Sequence, residues 1–232
     1  AYRRQRQMCI RDRFTRIDRK AIAEFDLCAV GPVIVGSGRS NELDPTLPDM
    51  TFLSGNNGEE ETFVIPGSTI KGVIRHYIGK KINDSDAEEF LFGKLGRKGR
   101  IAFYDAYADM QTVKTSERNQ TAIDPILQSA KNASLRNIQT VEKGIFKAGF
   151  SIVNPTDKEL NNIADALKAV QQGIIRFGGS TSRGFGLMNI GNFKLTVTKG
   201  FDDELNAIAE KQYNSFDEFY TVSYTHLTLP TI

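Results

Sequence analysis

A helix with a well-marked beginning constrains the fold of this chain more than any other feature. Pro66 and Gly67 interrupt an extended run, and Ser68 follows as the expected N-cap, whose hydroxyl satisfies a free backbone N–H. The apolar residues after it recur at helical spacing and form one stripe: Ile70, Val73, Ile74, Tyr77 and Ile78. The pattern predicts an amphipathic helix that begins near Ser68.

Two cations accompany the start of this helix. Lys71 and Arg75 are four residues apart, so both side chains can point at one ligand. A helix N-terminus with a hydroxyl and two cations suits a phosphate, which makes a nucleic acid or a nucleotide the first partner to consider. The alternative is an ordinary surface helix with solvated cations, and this segment taken by itself favours that alternative.

The order of periodic segments predicts an α+β fold. Alternating patterns indicate strands over 20–30, 100–107, 146–153 and 187–198, and a short helix is expected over 85–92. The sequence 156–159 fits a capping box that starts a second long helix, which Gly173 ends. Without insertions the order is β-α-β-β-α-β, the ferredoxin-like arrangement, with an antiparallel sheet and two main helices.

Two long polar stretches interrupt this order, one over about 39–62 and one over about 109–141. The second stretch is rich in Thr, Asn, Gln and Ser and shows no sustained period. A stretch of this length without regular structure inside a compact domain is usually functional or mobile. We therefore expect the stretch over 109–141 to be functional or mobile.

Both ends of the chain look foreign to the rest of it. Residues 4–13 resemble translated sequencing-adapter sequence, and residues 222–232 resemble the matching artefact at the other end. The first 13 residues hold five arginines and one aspartate, so without them the formal net charge of +2 becomes −2. We expect one domain within 14–221, whose nucleic-acid binding would have to come from local patches rather than from net charge.

The sequence excludes several classes of site. The two cysteines, Cys9 and Cys28, form neither a disulfide framework nor a zinc spacing, and no membrane span or signal-peptide pattern occurs, so a cytoplasmic protein without a membrane partner is expected. His76 is the only histidine outside the foreign-looking ends, which excludes His-based triads and zinc-protease sites. Hydrolysis would have to rest on carboxylates with a divalent ion. The candidates are Asp44, Asp49 and Asp105, although turn or cap roles are commoner for such residues.

A glycine-rich segment over 177–186 is a second candidate for phosphate binding. Its four glycines allow close backbone approach, and Arg183 can bind a phosphate through two hydrogen bonds. Residues 183–186 match the first half of an RNA-recognition-motif signature, but the match fails from Leu187 onward. A tight turn between a helix and a strand remains an alternative, and so does a nucleotide-binding enzyme that uses this loop.

Taken together, these motifs resemble one family. The segments 65–75, 91–93, 99–106 and 178–186 resemble, in this order, the RAMP superfamily of CRISPR-associated proteins. Between them, 118–124 and 141–146 look like the segments that flank the thumb hairpin in the repeated backbone subunit of type III effector complexes. The resemblance covers nearly all of 20–198.

The resemblance implies a modified ferredoxin-like, RRM-like core with a lid insertion over about 39–62 and a thumb over about 109–141. It further implies that copies of the chain stack head to tail along a CRISPR guide RNA, together with other effector subunits, and bind target RNA. The thumb would enter the guide–target duplex between bases. The RNA-binding residues that it implies are Ser68, Lys71, Arg75, Arg118, Arg136, Gly178, Gly179 and Arg183.

In catalytic members of the family an aspartate in the lid cleaves target RNA in a reaction that uses the 2′-hydroxyl. The resemblance places this role on Asp49, with Asp44 in reserve, and implies a magnesium or manganese ion bound by Asp49. The expected function is therefore a metal-dependent endoribonuclease within an assembled complex. The alternative is a non-catalytic RNA-binding scaffold of the same superfamily, in which Asp49 is a turn residue.

Overall fold

The computed structural model describes residues 17–40, 48–58, 60–82, 85–132, 134–201 and 207–225. The foreign-looking residues 1–13 and most of those over 222–232 lie outside these ranges, as does the reserve catalytic residue Asp44. Residues 222–225 continue the last helix.

The described residues form thirteen strands and four α-helices. The strands are β1 (Arg19–Ala29), β2 (Gly36–Ser40), β3 (Met50–Phe52), β4 (Ser54–Asn56), β5 (Glu61–Ile65), β6 (Gly93–Lys94), β7 (Arg97–Lys98), β8 (Ile101–Phe103), β9 (Ala106–Ala108), β10 (Lys114–Gln120), β11 (Arg136–Val153), β12 (Met188–Phe201) and β13 (Ala207–Tyr213). The helices are α1 (Gly67–Ile82), α2 (Ser85–Phe92), α3 (Asp157–Gln171) and α4 (Phe216–Thr225), and a 3-10 turn spans Thr181–Arg183.

The central sheet has the order β13-β12-β1-β11-β9, and β8 also pairs with β11. All of these pairings are antiparallel. The predicted α+β class with a large antiparallel sheet is confirmed, and the order is compatible with a ferredoxin-like core. Along β1 the odd-numbered residues from Ala21 to Leu27 are buried beneath the helices, so the even-numbered residues lie on the opposite face.

The two long helices cover one face of this sheet, as their sequence patterns predict. Ile70, Ile74 and Ile78 of α1 are fully buried in the main core. Helix α3 begins with the predicted capping box, in which the Thr156 hydroxyl accepts from the Glu159 N–H and the Glu159 carboxylate accepts from the Thr156 N–H. An ion pair between Lys81 and Asp165 joins the two helices.

The two polar insertions have regular structure where the structure describes them. In the lid, β4 and β5 form a hairpin, and β3 pairs in parallel with β11 through Met50 and Ile138. The expectation that 109–141 has no regular structure is wrong, because β10 and the first part of β11 form a long antiparallel hairpin, which we call the thumb (residues 114–143). Strand β11 is continuous through the thumb and the core sheet for 18 residues.

A bulge divides the strand predicted over 100–107. β8 and β9 both pair with β11, but Phe103 lies opposite Phe150 and Tyr107 lies opposite Lys147, so one extra residue is accommodated between them. Tyr104 and Asp105 occupy this bulge. Asp105 bonds to helix α1 on one face of the sheet, and Tyr104 lines a cavity on the other.

Candidate nucleic-acid interface

The tip of the thumb presents apolar side chains to solvent. Ile126 is 89% exposed and Leu127 is 74% exposed, and Ile123 and Leu135 are also exposed. The turn is closed by Asp124, whose Oδ1 accepts hydrogen bonds from the N–H groups of Ile126 and Leu127. The bond from Leu127, and then that from Ile126, lower the pKa of Asp124. The tip is therefore an ordered turn that carries apolar residues outward.

The glycine-rich loop is fastened to the base of the thumb. Phe185 is buried in a small cluster with Ile34 and Ile138, and Ile138 lies on β11. Gly178 has a φ of +86°, and any Cβ there would clash with the Ile34 carbonyl, so this position requires glycine. The Gly179 N–H donates to the same carbonyl at 2.8 Å. Both predicted RNA-binding glycines therefore hold the loop against the protein, and the Gly179 N–H already has an internal acceptor.

This packing brings Arg183 of the loop next to Arg136 of the thumb. Arg136 lies opposite Gln120 in the hairpin, and Arg183 Nη1 donates to Gln120 Oε1 at 3.1 Å. Together they border a cavity of about 400 Å³, which we call the thumb groove. Its lining residues are Gln120, Thr121, Ala122, Lys131, Asn132, Ser134, Arg136 and Arg183.

The thumb groove is positively charged. Three cations line it, Lys131, Arg136 and Arg183, and its described lining residues include no carboxylate. Among the residues that the structure describes, the side-chain partner of Arg183 is the neutral amide of Gln120. Guanidinium groups with uncompensated charge are suited to bind phosphate oxygens through two hydrogen bonds.

Arg118, by contrast, is engaged inside the protein. Its guanidinium donates to both oxygens of Glu142, at 3.0 and 3.2 Å, and lies 5.5 Å from the centre of the Phe185 ring. Burial raises the pKa of Glu142, but hydrogen bonds from Ser116, Arg118 and Thr140 outweigh this and lower it. Arg118 therefore links the thumb to the glycine-rich loop, and Glu142 compensates its charge.

The N-terminus of α1 is capped differently from the prediction. The helix begins at Gly67, so Ser68 is not the N-cap, and its exposed side chain lies within the first turn. The Gly67 N–H donates to Asp105 Oδ1 at 2.7 Å, which makes the bulge residue Asp105 the capping group. A Cβ on Gly67 would lie less than 3.0 Å from the Phe103 carbonyl, so the helix approaches the bulge too closely for another residue.

Arg75 of α1 lies in a cleft that Glu88 also lines and that is separate from the thumb groove. Arg75 Nε bonds to Glu88 Oε1 of α2 at 2.6 Å, and Glu88 fits over Gly79, where a Cβ would collide with its carboxylate. Lys71 has a pKa lowered by burial and, to a smaller extent, by the charge of Arg75. The structure therefore brings Lys71 near Arg75 as predicted, but it pairs Arg75 with an acid.

Asp49 lies at the foot of the thumb. Its side chain is exposed, and Oδ2 accepts the backbone N–H of Asn137 at 2.7 Å, next to Arg136. Within the residues that the structure describes, no three Asp, Glu, His or Cys side chains lie together in a way that could hold a metal ion. Among the described residues Asp49 therefore offers a single carboxylate, so a divalent ion held by them there would need oxygens from RNA.

Several residues of this interface carried no usable signal in the sequence. Lys131 and Gln120 belong to the thumb groove only because the hairpin and the loop meet. Glu88 neutralises Arg75 and Glu142 neutralises Arg118, and both pairings depend on tertiary packing. Phe185 was visible in the loop motif, but its packing with Ile138 was not.

None of the four helices among the described residues has the length and apolar composition needed to cross a membrane.

The sequence profile of the RAMP superfamily matches residues 26–189. The CRISPR system endoribonuclease Csm3 of Streptococcus thermophilus is 29% identical over 166 residues, which are 59% of this chain and 73% of that protein. The CMR subunit Cmr6 of Saccharolobus solfataricus is 49% identical over 43 residues, which are 18% of this chain and 15% of that protein.

A solved structure shares the fold. A chain in the type III-B Cmr-beta complex bound to cognate target RNA superposes with a TM-score of 0.59 at 17% identity. The superposition covers 84% of this chain and 65% of that one, so this chain spans about two thirds of its structural relative. The chain therefore belongs to the RAMP superfamily, and the prediction of a type III CRISPR RAMP protein is confirmed.

Proposed function

We propose that this chain is a guide-RNA-binding backbone subunit of a type III CRISPR effector complex and that it cleaves target RNA paired with the guide. The observation that carries the proposal is the meeting of Arg183 and Arg136 in the thumb groove, with Lys131 beside them. The Csm3 relative is named as an endoribonuclease, and the Cmr-beta structure contains target RNA. Further copies of the chain and other effector subunits are its proposed protein partners.

In this function the thumb groove binds the RNA backbone. Arginine guanidinium groups that contact phosphates fix the position of an RNA strand but do not distinguish its bases. Sequence discrimination is then left to pairing between guide and target, as in other guided effectors. The thumb groove has three cations and no carboxylate among its described lining residues, so it is suited to bind phosphates and leaves base recognition to the guide RNA.

The thumb tip supports a second part of the proposal. Apolar side chains that enter between bases unstack them and distort a duplex. Ile126 and Leu127 are the most exposed apolar residues of the thumb, and the hydrogen bonds of Asp124 hold their turn in place. In stacked copies, each thumb would interrupt the guide–target duplex once.

RNA binding at α1 requires an exchange of partners. Arg75 can reach a phosphate only if it leaves Glu88 or shares it, since the two side chains are bonded at 2.6 Å. Lys71 carries no such restriction and would bind first. Ser68 remains a proposed contact, because its exposed hydroxyl lies in the first turn of the helix.

The proposed cleavage uses Asp49 as a general base. Its carboxylate would take the proton of a ribose 2′-hydroxyl, whose oxygen then attacks the adjacent phosphorus. The new bond joins O2′ to phosphorus and the broken bond joins phosphorus to O5′, which takes a proton from water. The products are a 2′,3′-cyclic phosphate and a 5′-hydroxyl. A bound magnesium or manganese ion, held by Asp49 and RNA oxygens, would neutralise phosphate charge.

Two substitutions at Asp49 separate its charge from its hydrogen bond. Asp49→Asn keeps an oxygen that can accept the Asn137 N–H, whereas Asp49→Ala removes both charge and acceptor. In a complex assembled with guide RNA, both variants should bind complementary target. Cleavage, followed on a denaturing gel with magnesium present, should disappear in Asp49→Asn as well as in Asp49→Ala. Cleavage by Asp49→Asn at the wild-type rate would remove Asp49 from catalysis.

One observation favours a second function, that of a non-catalytic scaffold. The bond from Asn137 N–H gives Asp49 a structural role at the foot of the thumb without any chemistry. If the wild-type complex binds target with magnesium or manganese present and leaves it intact, the scaffold function is the correct one. Addition of a chelator to a cleaving complex tests the metal separately.

A further inference from the structure

The face of the sheet opposite the helices carries a cavity of about 360 Å³ that the proposed function does not use. We call it the sheet-face cavity. Its polar lining comes from the three strands β1, β11 and β12 and from the bulge: Glu24, Asp26, Tyr104, Lys147, Asn192 and Lys194. Its volume lies at the small end of the range for ligand sites.

A buried carboxylate organises this cavity. Asp26 is only 3% exposed although it lies on the open face of β1. Its Oδ1 accepts from Lys147 Nζ at 2.9 Å and its Oδ2 accepts from Asn192 Nδ2 at 2.5 Å. Because a buried charge is costly unless it is paired and hydrogen-bonded, Asp26 fixes the positions of both donors. Each donor retains further hydrogen-bonding atoms: two N–H groups on Lys147, and one N–H and an oxygen on Asn192.

A distorted backbone presents Asn192 to this carboxylate. Strands β1 and β12 slip register between Glu24 and Asp26, which marks a bulge, and Asn192 has a φ of +44°. Bulges commonly redirect a side chain next to a functional site. Left-handed backbone at a residue other than glycine stores strain, and such residues cluster at ligand sites.

An aromatic ring completes the cavity. Tyr104 extends from the bulge between β8 and β9 and is 45% exposed. Its ring lies over Gly149, since a Cβ built on Gly149 would be 3.0 Å from Cδ2 and 3.6 Å from Cε2 of that ring. The same Cβ would be 2.8 Å from the Ala23 carbonyl, so the backbone there leaves no room for a side chain.

The charges of the cavity balance. Asp26 is paired with Lys147, and Glu24 lies directly across the strands from Lys194. A neutral cavity has no preference for a phosphate, which distinguishes it from the thumb groove. Fixed donors and acceptors beside an exposed aromatic ring are instead the features that bind an unstacked nucleobase.

From this geometry we infer that the sheet-face cavity binds one unpaired nucleobase, which stacks on Tyr104 and is hydrogen-bonded along its edge by Lys147, Asn192 and Glu24. The ligand class is a single-stranded RNA nucleotide or a free nucleoside. The inference does not rest on the proposed function, because it needs neither the thumb groove nor Asp49.

The four common nucleosides are suitable probes because they carry no phosphate and so bypass the thumb groove. Binding to the full chain can be followed by saturation-transfer NMR. Wild type should bind at least one nucleoside, Tyr104→Phe should retain binding, and Tyr104→Leu should weaken it about tenfold. Asn192→Gly should also weaken it; glycine relieves the backbone strain, which opposes the loss of the hydrogen bond to Asp26, and thermal unfolding establishes that the variant is folded. Arg183→Ala is the control and should bind nucleosides as wild type does.

A crosslinking experiment then tests whether the bound base can belong to an RNA strand or only to a free nucleoside. A short single-stranded RNA containing 4-thiouridine is irradiated with the protein, and the crosslinked peptide is identified by mass spectrometry. A crosslink at Tyr104 or its neighbours on β11 would show that the base can belong to an RNA strand. Absence of both nucleoside binding and such a crosslink would overturn the inference, as would undiminished binding by Tyr104→Leu, and the cavity would then be a structural ion pair only.

Discussion

Removal of Arg183 should reduce the salt dependence of RNA binding by a calculable amount. The thumb groove offers three cations to RNA phosphates, and Arg183 is one of them. Each phosphate neutralised on a single strand contributes about −0.7 to the slope of log affinity against log salt, so three contacts give about −2.1. Between about 50 and 200 mM salt, the groove contacts then contribute a fall in affinity of about 18-fold in wild type but only about sevenfold in Arg183→Ala, where their contribution to the slope is about −1.4.

Fluorescence anisotropy with a labelled single-stranded RNA at four salt concentrations measures both slopes. Arg97→Ala is the matched control, because Arg97 is an exposed arginine that packs over the Phe90 ring at 4.0 Å and does not line the groove. It should leave the slope unchanged. Thermal unfolding establishes that both variants are folded. An unchanged slope in Arg183→Ala, or an equal change in Arg97→Ala, would refute the assignment of phosphate binding to this groove.

Three further predictions concern the groups that surround the interface. Glu88→Gln should free Arg75, raise RNA affinity and steepen the salt slope by about 0.7 units, and an unaltered slope in the same anisotropy assay would argue against an RNA contact at Arg75. Asp105→Ala should remove the cap of α1 and lower the free energy of unfolding in urea by about 1 kcal/mol, while Asp105→Asn should retain most of it. The pKa of Glu142 is lower in the folded chain than the ordinary 4.5, so its stabilising contribution is present above that pH and is lost as pH falls through the folded value. Thermal unfolding between pH 7 and pH 3 should therefore show a smaller acid destabilisation in Glu142→Gln than in wild type.

The parts of the fold that the sequence predicts well are those with local signals. The stripe of α1 and the capping box of α3 each lie within one helix, and both are present as expected. Periodicity did not indicate the thumb hairpin, which only the family resemblance implied, because β10 projects into solvent and most of its residues are exposed, so it has no buried face to create an alternating pattern.

The parts of the interface that were mispredicted depend on residues far apart in the chain. Ser68 satisfies the local rule for an N-cap, but Asp105, which is 38 residues after Gly67, supplies the cap instead. Arg183 reaches Gln120 across 63 residues, and no local pattern records that contact. Pairing of Arg75 with Glu88 likewise follows from the packing of α1 against α2, which amphipathic periodicity does not specify.

The position of β1 in the middle of the sheet has a consequence for the synthesis of this protein. β1 is made before its partners β11 and β12, which end at Val153 and Phe201. At translation rates of about 5–20 residues per second, β12 is complete about 9–35 s after β1. Until β11 has emerged, the strand that carries Phe25 and Leu27 has neither of its partners, and until β12 has emerged it still lacks one of them. The sheet therefore closes late, by long-range contacts that form slowly, and the nascent chain depends on staying unaggregated until β12 has emerged.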